Sequence, residues 1–384
     1  MPARSALRLS RAVALTVLAT ATATSAFAVQ TNAPKAAATA VKIDVIASGL
    51  ENPWGMQFLP DGRLLVTERP GRLRIVGKDG KLSTPVAGVP KVYAQGQGGL
   101  LDVRLSQDFA RDGTIFLSFA EPREGGKAGT AVARARLVLD GASARLDGVS
   151  VIFRQEPAVA SSHHFGSRIV PAADGSLFIT TGDRGSQRNE AQNPGSHIGK
   201  VLRMMPDGTP ATGNPKSSGW KPEVYSIGHR NIQGAAIDPA TGRLWTVEHG
   251  ARGGDELNHP EKGKNYGWPI ISYGRDYSGA KIGEGTTKSG LEQPVYYWDP
   301  SIATSGLAFY DGALFPGWKG NLLVGGLSGA RLSRLILEGG KVVGEEVLLS
   351  DSGDRIRDVR QGPDGAVWLL VDDRDGKVLR LSPK

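Results

Sequence analysis

One recurring phrase governs this sequence: a tight turn of the Pro-Asp-Gly or Asp-x-x-Gly type, followed at once by an apolar, β-rich run. It occurs as LPDGRLLVTER from Leu59, RDGTIFLSFA from Arg111, AADGSLFITTGD from Ala172, DPATGRLWTVEHG from Asp238, GWKGNLLVGGL from Gly317 and GPDGAVWLLVDD from Gly362. The turn residues supply the positive φ that hairpins need, and the Leu/Val/Ile/Phe/Trp run behind them reads as a strand. Most copies are followed by a second strand-like run, such as GRLRIV from Gly71 and GKVLRL from Gly376. Six copies over about 340 residues make units of roughly 55, slightly above common propeller blade lengths. The repeat therefore predicts an all-β chain, a six-bladed β-propeller forming a single domain over residues 41–384. A sandwich rarely runs so long without a break, and no linker marks one. VKIDVIA, from Val41, is the strand expected to lie beside the run ending at Leu381. That pairing closes the last blade and removes a sheet edge.

Composition agrees and excludes several chemistries. Gly 52 and Pro 23 in 384 residues suit a chain of many turns. Cysteine is absent, which rules out disulfides, thiolate metal sites, thiol nucleophiles and CxxCH haem attachment. Residues 1–28 carry Arg4, Arg8 and Arg11, a short apolar stretch from Ala12 to Leu18, and Ala26-Phe27-Ala28 as a small-x-small cleavage site. This reads as a signal peptide for export to a bacterial periplasm or beyond, too short for a membrane span. Residues 29–40 read as a flexible lead-in. The formal charge is +8, and the three leader arginines leave the rest nearer +5. Its basic residues are mixed with acidic ones, which argues against nucleic acid as a partner.

Chemistry-bearing residues gather in the stretches that follow the repeated strands: SSHHFGSRIV, ITTGDRGSQRNE, SIGHRNIQGAAI, TVEHGARGGDELNHPEKGKNYGWP and DRIRDVR. The six histidines have no zinc-site spacing. Arg230-Asn231 and Arg355-x-Arg357 offer fixed donors for carboxylates or carbonyl oxygens. In a strand, 355 and 357 share a face. A Gly-rich loop followed by Asp255 and Glu256 is oxygen-donor chemistry suited to Ca²⁺, without EF-hand spacing. Taken singly, an RxR pair is usually a solvated strand face and a DE pair after glycines usually a turn.

Taken together, these strings resemble the soluble pyrroloquinoline-quinone (PQQ)-dependent sugar dehydrogenases, above all the bacterial aldose sugar dehydrogenases. The likeness runs from NPWGMQFLPDGRLLVTER through GQGGLLDV, HRNIQG, GGDELN and KNYGWP to RIRDVR, in the family's order. It implies a six-bladed propeller that binds PQQ and Ca²⁺ and oxidises aldose sugars at C1, passing electrons to a separate acceptor. Carried over by position, it implies His164 as catalytic base, oriented by Asp183. Gln97, Arg230, Asn231, Tyr277, Arg355 and Arg357 are implied as quinone contacts, with Arg230 also stabilising charge. The carbonyls of Gly250 and Ala251 are implied for a calcium that bridges to the quinone. Glu256 and Tyr266 are implied for a second, structural one.

Two positions depart from the family pattern. Ser328 stands where the family commonly has a lysine facing the quinone; Arg331 is the nearest cation, on the opposite face if the segment is a strand. Ala251 replaces a proline of the glucose-type members, where only the carbonyl is needed. Rival readings are a calcium-dependent lactonase and a non-enzymatic sugar- or protein-binding propeller. The lactonase leaves the Arg/Asn/Gln cluster without a flat acidic ligand, and in a binding module Asp183 and His164 are ordinary turn and rim residues. His163 reads as a loop neighbour, and Trp298 as either a cofactor wall or core. Oligomeric state and the preferred sugar have no legible signal.

Overall fold

Each copy of the repeated phrase forms the same piece of structure. In this computed structural model, which describes Met1, residues 31–141 and residues 143–384, every phrase is a turn followed by the second strand of a sheet. These second strands are Leu64–Glu68, Thr114–Pro122, Leu177–Thr180, Leu244–Glu248, Leu322–Gly326 and Val367–Val371. The leader expected over residues 1–28 lies outside the described residues apart from Met1.

Six antiparallel sheets result, five of four strands and one of three. The first strands of the sheets are Pro53–Phe58, Leu100–Leu105, Ile169–Pro171, Ile232–Ile237, Thr304–Phe309 and Ile356–Gln361. Each packs against the first strands of its two neighbours, which makes a closed inner ring. This is the six-bladed propeller. Single faces of these strands cannot bury themselves alone, so the core is distributed between blades. Each of the six interfaces carries its own apolar cluster: Leu65, Leu100 and Phe119 between blades one and two, and Phe116, Ile169 and Leu202 between two and three. Val201, Ile232 and Leu244 fill the next, then Val247, Leu307 and Leu335, then Leu323, Ile356 and Leu369.

The sixth interface depends on the N-terminal strand. Val41–Leu50 pairs antiparallel with Gly376–Pro383, with Val41 opposite Pro383 and Ile43 opposite Leu381. Its Ala47 and Leu50 join Met56, Val66 and Leu370 between blades six and one. The described part of the segment before it, expected to be a free lead-in, is laid on blade five. Ala36 N–H donates to Glu345 O at 2.9 Å, Glu345 N–H to Pro34 O at 2.9 Å, and Ala33 N–H to the Tyr296 hydroxyl at 3.1 Å. Backbone pairing of this kind leaves no trace in an Ala/Thr-rich composition. Among the described residues no helix is long and apolar enough to cross a membrane.

Candidate active site

Segments entering the first strands and leaving the second strands meet at one end of the ring. There the loop before Ile169 brings His164 to Asp183, which follows the strand Leu177–Thr180. His164 Nδ1 lies 2.5 Å from Asp183 Oδ1. The approach needs glycine at 182, because a Cβ there would meet the His164 carbonyl oxygen at 2.2 Å. His164 itself holds φ +51°, a left-handed conformation that a side chain rarely adopts and that is frequent at functional sites. Asp183 is further held by Gly185 N–H (2.7 Å), by the Trp268 indole N–H at Oδ2 (2.8 Å) and by its own N–H to Arg230 O (2.7 Å).

Burial is the largest influence on both members, and it acts in opposite directions. It lowers His164 below its ordinary value of 6.5, helped by the Arg230 charge and resisted by the Asp183 bond. It raises Asp183, but the His164 bond and the His164 and Arg230 charges outweigh it and leave the carboxyl below its usual range. A neutral imidazole beside an ionised carboxylate is the resting pair. With Nδ1–H given to Asp183, the Nε2 lone pair is free.

Arg230 and Asn231 are set by the buried Glu248. Its carboxylate accepts from Arg230 N–H (2.5 Å), His229 Nδ1 (3.0 Å) and Asn258 Nδ2 (2.9 Å). Arg230 Nη1 donates to His249 O at 3.0 Å, and its guanidinium lies 5.2 Å from the Trp268 ring centre. Asn231 Oδ1 accepts from Gly166 N–H at 3.0 Å, which turns Nδ2 the other way.

Gln97 links this group to a cavity of about 250 Å³ at the centre of the ring: its Oε1 accepts from His164 N–H at 2.8 Å, and it lines the cavity. Trp54, Arg69, Gln233, His249, Arg355, Arg357 and Asp372 form most of the remaining wall. Five of the six inner strands carry a register shift near this end, at Pro53/Met56, Leu100/Val103, Ile232/Gly234, Thr304/Leu307 and Ile356/Asp358. A bulge re-aims the side chains within it, and three of these bulges hold Trp54, Gln233 and Arg357. Arg357 Nη2 meets Asp372 at 2.5 Å and its Nη1 meets Gln233 at 2.7 Å. Arg355 Nη1 donates to Leu327 O at 3.1 Å. Both arginines thus reach one cavity, through a bulge and not through simple strand alternation.

Four buried donors around this site have no protein partner: Arg69 Nε, Arg230 Nε, Arg357 Nε and Asn231 Nδ2. Buried polar groups are ordinarily paired, so a donor-rich, cationic cradle of this kind fits an oxygen-rich anion such as a quinone carboxylate. A larger hollow of about 540 Å³ opens at the other end of the ring, beside Arg104 and Arg360, but the His164–Asp183 pair does not face it.

Blade four supplies the oxygen-donor segment. Gly250 N–H donates to Asp255 Oδ1 at 2.8 Å, and a Cβ on Gly250 would meet Gly253 O at 2.2 Å. Asp255, buried and raised by burial, also accepts from Ser301 Oγ (2.7 Å) and Ile302 N–H (2.9 Å). These bonds tie the start of the Gly-rich loop, at Gly250 N–H, to Asp255 and the segment at Ser301. Glu256 lies opposite Glu248 in the ladder; burial first, then the Glu248 charge, pushes its carboxyl up to about 8. A carboxyl so destabilised as an anion is one that a cation would relieve. Tyr266 shares the neighbourhood, stacked on His229 with ring centres 4.8 Å apart, its hydroxyl donating to His259 O at 2.6 Å. Among the described residues no three His, Asp or Glu side chains converge as a metal cluster.

Two expected positions stand apart from the cavity. Tyr277 is 72% exposed on its loop, and Ser328 is exposed in the turn between Leu322–Gly326 and Arg331–Glu338. The turn, not a strand, governs this region, and the Arg331 guanidinium folds over Gly329. Trp298 is core, its indole N–H donating to Glu345 at 3.0 Å. Sequence reasoning missed Trp54, Arg69, Gln233, Asp372, His249 and Trp268 as site residues. All six stand inside the quoted strings, and all but Trp268 lie in or border a first or second strand, a signal available before the structure.

The glucose / sorbosone dehydrogenase family model matches residues 50–380. The aldose sugar dehydrogenase YliI of Escherichia coli is 44% identical over 354 residues, 91% of this chain and 95% of that protein. Its apo crystal structure superposes with a TM-score of 0.87 over 90% of this chain and all of that one. A crystal structure of a glucose dehydrogenase is 51% identical, with a TM-score of 0.86 over 88% of this chain and 99% of its own. The PQQ-bound aldose sugar dehydrogenase of Streptomyces coelicolor is 31% identical, with a TM-score of 0.75 over 91% of this chain and all of its own. With its fold and residues 50–380 matched, the chain belongs to the glucose / sorbosone dehydrogenase family.

Proposed function

We propose that this chain is a quinoprotein that oxidises aldose sugars at C1 to lactones, with PQQ and Ca²⁺ as its cofactors. The observation that carries the reading is the buried His164–Asp183 pair, set beside a central cavity walled by arginines. PQQ, when bound, would supply the hydride acceptor for C1 and Ca²⁺ would supply Lewis-acid polarisation.

The protein's part follows from its own groups. His164 Nε2 is the base for the C1 hydroxyl proton, and Asp183 holds the tautomer and stabilises the imidazolium that forms. Arg230 is a fixed donor for charge developing on oxygen. Gln97, Asn231, Arg355 and Arg357 hold the quinone through its oxygens and carboxylates. The Gly250 and Ala251 carbonyls would hold one calcium, and Glu256 with Tyr266 a second, structural one. Tyr277 and Ser328 do not face the cavity and are left out of this set. Electrons pass to a separate acceptor, and residues 1–28 support export.

The test is reconstitution. Purified apoprotein, given glucose and an artificial dye acceptor, should reduce the dye only when both PQQ and Ca²⁺ are supplied. NAD should not replace them, since no strand-GxGxxG-helix unit is present to hold its pyrophosphate. Turnover that survives chelation of the quinone-free protein, or that runs on NAD, would overturn the proposal.

A further inference from the structure

The central cavity holds an imbalance of charge that the quinone contacts named so far do not account for. Its wall contains three guanidinium groups, Arg69, Arg355 and Arg357, and one carboxylate, Asp372. Asp372 is already committed: Arg357 meets it at 2.5 Å and Asn52 Nδ2 at 3.2 Å. Arg355 gives Nη1 to the Leu327 carbonyl at 3.1 Å and also borders a neighbouring pocket lined by Asp354, Asp373 and Asp375. Arg69 borders the central cavity alone. Its opposing charge is Asp372 alone, Arg357 and Arg355 repel it, and its Nε is buried without a partner. The residue is anchored by its backbone, with N–H to Asn52 O at 3.1 Å and its carbonyl accepting from Leu100 N–H at 3.2 Å. Blades one and two thus fix where it stands, whatever its side chain does.

A half-buried cation crowded by two others is costly unless something anionic arrives. We propose that Arg69 is a ligand-binding residue that holds a carboxylate of the cofactor, supplying from blade one the positive charge that Ser328 does not supply from blade five. The inference rests on the quinoprotein reading above and names a residue outside its contact set.

The experiment is a titration of PQQ, in the presence of Ca²⁺, into wild-type apoprotein and into Arg69→Gln and Arg69→Lys. Quenching of tryptophan fluorescence is the readout, since Trp54 lines the cavity. Removing one charge-assisted contact should weaken binding by about ten- to a hundred-fold in Arg69→Gln, and Arg69→Lys should recover most of the loss. The trimethyl ester of the quinone, which lacks the anionic carboxylates, should bind wild type and Arg69→Gln alike. The apoprotein's melting temperature should not fall in Arg69→Gln, because the substitution removes a charge that only a ligand satisfies. Equal dissociation constants for PQQ in wild type and Arg69→Gln overturn the inference. So does an equal loss for acid and ester, which would mark a structural role. If Arg69→Gln does not fold, Arg69→Lys decides on the same acid-to-ester comparison, with a loss of several-fold expected for the acid alone. Absence of saturable PQQ binding to the wild type is a different failure: it removes the quinoprotein reading, and this inference with it.

Discussion

A histidine held at φ +51° by its own loop and bonded to a carboxylate 2.5 Å away is set for one task, and its substitution isolates that task. His164→Ala should leave the fold and quinone affinity intact but lower kcat by about 10²–10⁴-fold, the usual worth of a positioned general base. Asp183→Asn should lose less, because Asp183 orients the base and takes no proton. The pH dependence follows from direction. Burial lowers His164 below 6.5 and lowers His249 well below it. The free imidazole is the active form, so kcat/KM should rise with pH along a limb centred below 6.5 and be flat above it. The unfolded chain binds protons at these histidines where the folded one does not, so stability should fall as pH drops below about 6.5. A limb centred above 6.5 would contradict the burial argument; stopped-flow rates and urea titrations across pH 4–8, on about a half-unit grid, measure both. His164, Asp183, Arg230 and Asn231 were legible because their strings are long and specific. Arg69 and Asp372 were not, although Arg69 ends the first copy of the repeat, because an arginine after a strand reads as a solvated rim until the ring shows what surrounds it.

At the scale of elements, the sequence period predicts strands but not where they bulge. Alternation placed Arg355 and Arg357 on one face, and the structure reaches the same convergence by a bulge at Ile356/Asp358. The long loops were equally closed to pattern reading, because their order comes from single polar side chains. Lys200 is one: fully buried, its ammonium donates to the carbonyls of Glu190 (2.8 Å), Ala191 (3.0 Å) and Ile198 (2.5 Å). That clamp shapes the segment after Asp183, and Ala191 packs against Trp268, whose indole bonds Asp183. Lys200→Met should cost about 1–3 kcal/mol, the penalty for buried acceptors that lose a donor. It should also lower kcat, through the slackened support of Trp268. Burial pulls Lys200 down to about 7, whereas the unfolded side chain holds its proton to 10.5. The unfolded state therefore binds more protons between those values, and the stability difference between wild type and variant should widen as pH rises from about 7. Urea unfolding at about pH 6 and about pH 9, roughly either side of that onset, checks it, and a difference that shrinks would reverse the assignment.

For the whole molecule, the site exists because the ring closes. The cavity draws Trp54 and Arg69 from blade one and Arg355, Arg357 and Asp372 from blade six, on either side of the one interface that the chain's two ends must assemble. Val41–Leu50 completes that interface by adding Ala47 and Leu50 to its core and by covering the edge of Gly376–Pro383. Burying a leucine contributes about 1.5–3 kcal/mol, a large share of a net stability of only about 5–15 kcal/mol. Starting the chain at Asn52 should therefore open blade six against blade one and abolish quinone binding, even though no cavity residue has been removed. That result alone would not separate closure from a folding defect, but the geometry offers a rescue. Lys384 N–H donates to Ala40 O at 3.1 Å, and the two strands are antiparallel with Val41 opposite Pro383. A two-residue hairpin turn such as Asn-Gly after Lys384 can thus lead into Ala40 and carry Val41–Leu50 as the last strand of the chain. This permutant, beginning at Asn52 and ending at Leu50, should regain the fold and bind PQQ with the affinity of the wild type. Its melting temperature should stand within a few degrees, roughly the shift that 1 kcal/mol makes in a large domain. A permutant that folds but does not bind quinone would mean that residues before Val41, and not closure of the ring, set the geometry of the cavity.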